Sequence, residues 1–358
     1  MPETIRVFRP FLPSTSAIAA YMEQAAERGQ YSNGGPLVAD LEARLAEHFG
    51  VGPDHVAVCA SGTTALEGAV AVSAGDSRSA WQVPSWTFTA TPGAILRVGD
   101  RAHFADIDDA QRVVFDGAAA RGIDVLPFGT GPDWSGRPLP RTLIVDAAAS
   151  FDACEQFAFP EKSVVGVVVS LHATKSLPAG EGGVFFSNDK QWVDEFRRYI
   201  NFGMWGSRVS QIRGTNGKMS ELTAAVAHAS LDEWPAKRAR WIELGDRALR
   251  IAADREVASA ANAPPGVATP YWNIQLPDKA SRVSLEKRLS DNGVETRRWW
   301  GDGCHTMPAY LDVPRGDLMV TDSVARTTLG LPFHLGLSVT DLESIGRMIG
   351  DHAQGERA

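Results

Sequence analysis

"VVGVVVSLHATKSLPAGEGGVFFSN" spans Val164 to Asn188. Its first part is a continuous apolar run, the pattern of a strand buried on both faces, and "GVFFSN" begins a second such run. Between them a single lysine, Lys175, follows Ser170, His172 and Thr174 and precedes Gly180, Gly182 and Gly183. A P-loop is excluded, because GxxxxGK[ST] needs glycine at 169 and 174, where the chain has Val169 and Thr174. A lysine fixed at the end of a half-buried strand suits imine chemistry, since position and partial desolvation favour the nucleophilic amine. The same lysine also reads as a solvated side chain in a glycine-rich hairpin.

Outward from this stretch, short apolar runs alternate with amphipathic ones. "LVADLEARLAEHF" from Leu37, "TALEGAVAVS", "TATPGAILRVG" and "QWVDEFRRYINF" read as helices. "HVAVCA", "AWQVP", "RAHFADI" and "TLIVDA" read as strands. Buried strands alternating with helices predict an α/β domain around a mostly parallel sheet. "LDEWPAKRARWIELGDRALRIAA" predicts a long charged helix, kinked or broken at Pro235. Beyond it, "ATPYWNIQLP" and "VETRRWW" predict strands, and "SRVSLEKRLSDNG" and "VTDLESIGRMIGDH" predict helices. The expected division is a large domain over 1–235 and a small α+β domain over 236–358. "GPDWSGRPLP" (Gly131 to Pro140) is the expected surface loop.

Two further motifs carry chemistry. In "CASGTTALEG" a strand turns into a helix at Ser61-Gly62-Thr63, where free N–H groups suit an anion and glycine permits close approach. An ordinary Ser/Thr cap fits the same residues. In "LIVDAAAS", Asp146 closes a buried strand at the edge where open α/β sheets bind ligands. There it serves a protonated ring nitrogen or a metal, or caps the next helix. Phosphate turn, aspartate and lysine, in that order, are the parts that pyridoxal phosphate requires. "VPSWTFTAT" adds Trp86 and Phe88 as aromatics for a flat ring.

This ordered set resembles the DegT/StrS family of sugar aminotransferases, fold-type-I enzymes of pyridoxal phosphate. The matching stretches are Asn33 to Pro36, Ser61 to Leu66, Pro84 to Thr91, Asp146 to Ala149, Ser170 to Gly183, Asn216 to Glu221 and His305 to Tyr310. The resemblance implies that Lys175 carries the cofactor and shuttles a proton, and that Asp146 pairs with the pyridine nitrogen. It implies that Gly62, Thr63 and Ser170 hold the phosphate, and that Phe88 stacks on the ring. Asn216 would reach the phosphate of a neighbouring subunit, so a homodimer with shared sites is expected. The implied reaction moves an amino group from an amino acid, with glutamate as the expected donor, to a keto-sugar on a nucleoside diphosphate. Asn33, His172, Arg297, Arg298 and His305 are the expected substrate contacts. In "TRRWWGDGCH" the arginines suit a diphosphate, and strand alternation would bury only one of Trp299 and Trp300.

Departures from the family pattern fall around the substrate. "DAAQ" is "DAAA" here, so Ala149 lacks an amide, and "NYRM" is "NGKM", with Gly217 and Lys218. "RNHG" is "INFG", and "FGTGPDWSGRP" stands where the family has its "HLYG" loop. A sugar dehydratase and a non-catalytic binding protein are the alternatives on this fold. The retained Lys175 favours transamination, because dehydratases of the family carry histidine there.

Composition bounds the rest. The chain has 358 residues and a formal charge of -8, which argues against a nucleic-acid-binding face. Cys59, Cys154 and Cys304 are odd in number and form no CxxC pair, so neither a disulfide framework nor a metal site is expected. No apolar run is long enough for a membrane helix, and "MPETIRVFRP" lacks the apolar core of a signal peptide. A cytoplasmic protein is the expectation.

Overall fold

A computed structural model describes residues 4–73, 80–117, 119–160, 164–259 and 262–357. Seven strands form the central sheet: β1 (Val56–Cys59), β2 (Ala80–Pro84), β3 (Arg101–Ala105), β4 (Arg121–Val125), β5 (Thr142–Asp146), β6 (Val164–Ser170) and β7 (Gly183–Phe186). Their order is β1-β7-β6-β5-β4-β2-β3. β7 runs antiparallel to both neighbours, and the other pairings are parallel. β1, β5 and β6 therefore end on one edge of the sheet. The expected α/β class and mostly parallel sheet are observed.

Helices cover both faces. α1 (Thr15–Arg28) and α2 (Pro36–Phe49) precede β1, α3 (Gly62–Ser73) follows it, and α4 (Ala90–Arg97) and α5 (Lys190–Ile200) follow β2 and β7. Val167 and Val169 of β6 face one apolar cluster with α2, while Val168 faces another with α3 and α5. This two-sided burial explains the unbroken valine run. β4 was not anticipated from the sequence. Its fourth residue, Asp124, is fully buried and paired with Arg137 at 2.9 Å, so a charge interrupts the apolar pattern that marks the other strands.

α6 (Glu221–Asp254) is continuous through Pro235, so of the expected kink or break the break is absent. Its packing against α1 and α2 outweighs a proline penalty of about 3 kcal/mol. The division at 235/236 thus falls inside one helix shared by both parts. At the start of α6, the buried Glu221 accepts the N–H groups of Leu37 (2.8 Å) and Val38 (3.1 Å). That carboxylate caps α2, which has no capping side chain of its own.

The C-terminal part holds a second sheet of β8 (Ala258–Ser259), β9 (Trp272–Gln275) and β10 (Thr328–Leu331), antiparallel in the order β10-β9-β8. α7 (Lys279–Asp291), α8 (Met319–Thr327) and α9 (Val339–Arg357) pack around it. "VETRRWW" is not a strand. It contributes only single bridges, Ile5 to Val294 and Arg297 to Gly330, among the described residues. Trp300 turns the chain with a φ of 61°, which ends the extended run. Both Trp299 and Trp300 are half-buried, so the alternation expected for them is lost.

Candidate active site

The site lies on the edge where β1, β5 and β6 end. In register, Cys59, Gly183 and Ser170 stand abreast across β1, β7 and β6. Ser61 then caps α3, accepting the Thr64 N–H at 3.1 Å. Gly62 presses on Ser170: a β-carbon there would lie 2.9 Å from Ser170 Cβ. Gly183 similarly leaves no room for a side chain against the Ser61 carbonyl. These two glycines let the helix N-terminus, Thr63 and the Ser170 hydroxyl share one concave turn suited to an anion. Of the two readings posed from sequence, the Ser61 cap is present.

Asp146 ends β5 and is 5% exposed. Its Oδ1 accepts the Ala148 N–H at 3.1 Å, and its Oδ2 accepts the Thr91 hydroxyl at 2.7 Å. Thr91 also meets the buried Thr87 hydroxyl at 3.0 Å. Burial pushes the Asp146 carboxyl above its ordinary range, while Thr91, the Ala148 N–H and the Lys175 charge pull it down. Phe88 lies one turn before Thr91, whose N–H bonds the Phe88 carbonyl at 3.1 Å. The Phe88 ring is 62% exposed, whereas Trp86 is buried and donates to Gln111 at 2.9 Å. Of the two aromatics, Phe88 therefore has the face free to meet a ligand.

Lys175 is half-buried in the turn between β6 and β7, its N–H bonded to the His172 carbonyl at 2.8 Å. The His172 Nδ1 meets the Thr174 hydroxyl at 2.9 Å and its Nε2 faces Glu181 at 3.7 Å. The Lys175 Nζ donates to the Tyr271 hydroxyl at 3.2 Å. Trp299 stands edge-on to Tyr271, with centroids 5.2 Å apart. Phe128 stacks on Trp300 at 4.6 Å, and Trp86 meets Trp300 edge-on at 5.1 Å. An aromatic wall thus runs away from Lys175.

The remaining expected contacts are spread along the rim. His305 is held by Ser85 at 2.7 Å and faces Asp322 at 3.3 Å. Burial keeps its imidazole below the ordinary range, against the pull of Asp322. Arg297 lies over the rings of Phe8 and Trp299, while Arg298 pairs with Asp302, so the two arginines do not form one clamp. Asn33 is exposed in the turn before α2, with a φ of 64°. Asn216 is exposed beside the anion turn and accepts from Lys218 at 2.8 Å. Gly217 has no space for the family's aromatic, since a β-carbon would meet Thr64 Cγ2 at 2.6 Å.

Thr91, Phe128 and Tyr271 were missed in the sequence. Thr91 sits in "PSWTFTAT" in the first turn of α4, and its hydroxyl meets that of Thr87 in the bend before the helix. Nothing local marks Phe128 or Tyr271, because the fold brings them to Lys175 from strand ends distant in sequence.

A profile of the DegT/DnrJ/EryC1/StrS aminotransferase family matches residues 14–123 and 142–349. The chain belongs to that family. The unmatched interval, 124–141, contains the "FGTGPDWSGRP" departure. The aminotransferase is 28% identical over 391 residues to Protein Rv3402c of Mycobacterium tuberculosis, covering 95% of this chain and 88% of that one. It is 26% identical to the dTDP-4-amino-4,6-dideoxy-D-glucose transaminase of Shigella dysenteriae, covering 96% and 98%. The structure of DesI with its TDP-sugar product superposes with a TM-score of 0.84 at 26% identity, covering 100% of this chain and 95% of that one. The fold-type-I aminotransferase architecture and an enzymatic role expected from the motifs are therefore established, in a family of sugar aminotransferases.

Proposed function

We propose that the aminotransferase binds pyridoxal phosphate and transfers an amino group between an amino acid, with glutamate as the donor, and a keto-sugar carried on a nucleoside diphosphate. The convergence of Lys175, Asp146 and the Gly62–Ser170 turn on one sheet edge carries this reading. The residues fit the cofactor. The β-carbon absent at Gly62 leaves a cradle against Ser170 for a phosphate. A buried carboxylate pushed upward by desolvation, Asp146, is relieved by a protonated ring nitrogen beside it. When bound, the cofactor supplies an electron sink for the substrate's Cα.

The chain's own groups supply the rest. Lys175 would hold the cofactor and take and return a proton at its Nζ. Asp146 keeps its charge toward the ring, oriented by Thr91. Gly62, Thr63 and Ser170 bind the phosphate, and Phe88 covers one ring face. Asn33, His172, Arg297, Arg298 and His305 line the approach for the sugar nucleotide. A homodimer brings Asn216 to the partner's phosphate. The Shigella relative named for a dTDP-sugar and the DesI complex with a TDP-sugar favour a dTDP-linked substrate in amino-sugar biosynthesis.

Borohydride treatment of the purified, coloured protein should fix cofactor to a peptide containing Lys175. Lys175→Ala should lose that adduct and at least about a thousandfold in turnover. An adduct on another lysine would refute the assignment. Incubation with dTDP-keto-sugars and glutamate should yield an amino-sugar nucleotide; deoxygenated product without nitrogen would instead mark a dehydratase.

A further inference from the structure

Tyr271 is the residue before β9, and no motif singled it out. Its hydroxyl accepts from the Lys175 Nζ at 3.2 Å, and the ammonium lies 5.9 Å from its ring centroid. The ring is held between two aromatic edges, Trp299 at 5.2 Å and Phe128 at 5.4 Å. The backbone that delivers it is anchored at two points. Ala268 N–H bonds the buried Asp152 carboxylate at 2.7 Å, and the Thr269 hydroxyl bonds the Phe128 carbonyl at 2.9 Å. Gly129 permits this crossing, because a β-carbon there would lie 2.5 Å from Thr269 Oγ1. So rigid a mounting is more than a packing contact needs, and it ends in one polar atom aimed at one amino group.

We propose that Tyr271 is a positioning residue for Lys175. Its hydroxyl holds the ε-amino group at the sheet edge whenever that group is not otherwise bonded, fixing where the nitrogen and its proton lie. This rests on Lys175 being the reactive lysine of the site. Among the described residues, the titratable and charged groups near Lys175 include Asp146 at the end of β5 and Arg9, Lys237 and His334, which line the same cavity as Lys175, with burial holding the His334 imidazole below its ordinary range. Among the described residues, Tyr271 is the side chain with a direct hydrogen bond to Nζ.

The test uses cofactor-free full-length protein and a neutral acylating reagent at trace level. Peptide mass spectrometry reads the rate at Lys175 relative to the exposed Lys279. Tyr271→Phe keeps the ring and removes only the hydroxyl. Loss of one hydrogen bond should free the amine and raise its relative labelling roughly fivefold. Equal labelling in both proteins, or slower labelling in the variant, overturns the proposal. A second measurement does not depend on that variant folding. Among the five tyrosines, one ¹³Cζ resonance should move on Lys175→Met; no movement overturns the proposal. Absence of borohydride-fixed cofactor at Lys175 would sink the cofactor assignment while leaving both comparisons interpretable.

Discussion

Asp146 is a carboxylate whose burial raises it above the ordinary aspartate range, against Thr91, the Ala148 N–H and Lys175. The folded state therefore binds this proton more tightly than the unfolded chain. Stability from the group is present at low pH and is lost as pH rises from the ordinary range through the folded value. In the cofactor-free protein the charge on this carboxylate is a cost to folding wherever the group is ionised. Asp146→Asn keeps the shape and removes the charge. The cofactor-free variant should melt roughly 1–3 °C above wild type at pH 8, with the gap closing as the solution is acidified. The same variant should lose most transaminase activity, as expected where a site is strained for function. Calorimetry across pH checks this: a variant that melts lower at pH 8 would show that attraction to Lys175 outweighs desolvation.

At the scale of elements, β4 and the segment after it depend on one buried ion pair. Arg137 donates to both Asp124 oxygens, at 2.9 and 3.3 Å, and to the Val113 carbonyl at 2.8 Å. The Asp124 carboxyl is pushed up by burial and held down chiefly by its bond to Arg137. Removing Arg137 leaves the buried Asp124 carboxylate without its hydrogen-bonded partner, with only the nearby Arg112 charge to offset it. Arg137→Ala should destabilise the protein by about 3 kcal/mol in urea unfolding, whereas an apolar pair at both positions should recover most of that loss. Near-normal stability of Arg137→Ala would mean that Asp124 is neutral in the fold. This pair also ties the loop that departs from the family to the strand feeding Phe128 into the aromatic wall. Its loss should raise KM for the sugar nucleotide proposed as substrate along with lowering stability.

Over the whole molecule, one chain leaves large apolar groups exposed on the side that carries Asn216. Phe202 is 48% exposed, Trp205 42% and Val209 67%, all on the segment between α5 and α6. The dimer proposed above would cover this segment with a second copy. Equal mixtures of Lys175→Ala and Asn216→Ala chains should recover about a quarter of wild-type activity, since half the dimers are mixed and each holds one intact site. Sedimentation as a monomer, or no recovery on mixing, would defeat the shared site. The net charge of -8 gives no general pull on polyanions.

The strands around Lys175, the strand-end position of Asp146 and the turn at Gly62 were legible in the sequence, because each is written in contiguous residues. Apolar runs fix buried strands, and a polar residue directly after such a run has to lie at the sheet edge. β4 was illegible because its defining residue, Asp124, is stabilised by Arg137, a partner outside the strand. The continuity of α6 through Pro235 was likewise decided by packing against α1 and α2, which outweighs local propensity. The two tryptophans after Arg298 were placed by the turn at Trp300 and by the rings of Phe128 and Tyr271. The sequence by itself determined which groups stand at the end of which strand. Only the tertiary structure decided what those groups touch, because Thr91 reaches Asp146 across 55 positions and Tyr271 reaches Lys175 across 96. Contacts at that separation follow from how the elements pack, and no local pattern encodes them.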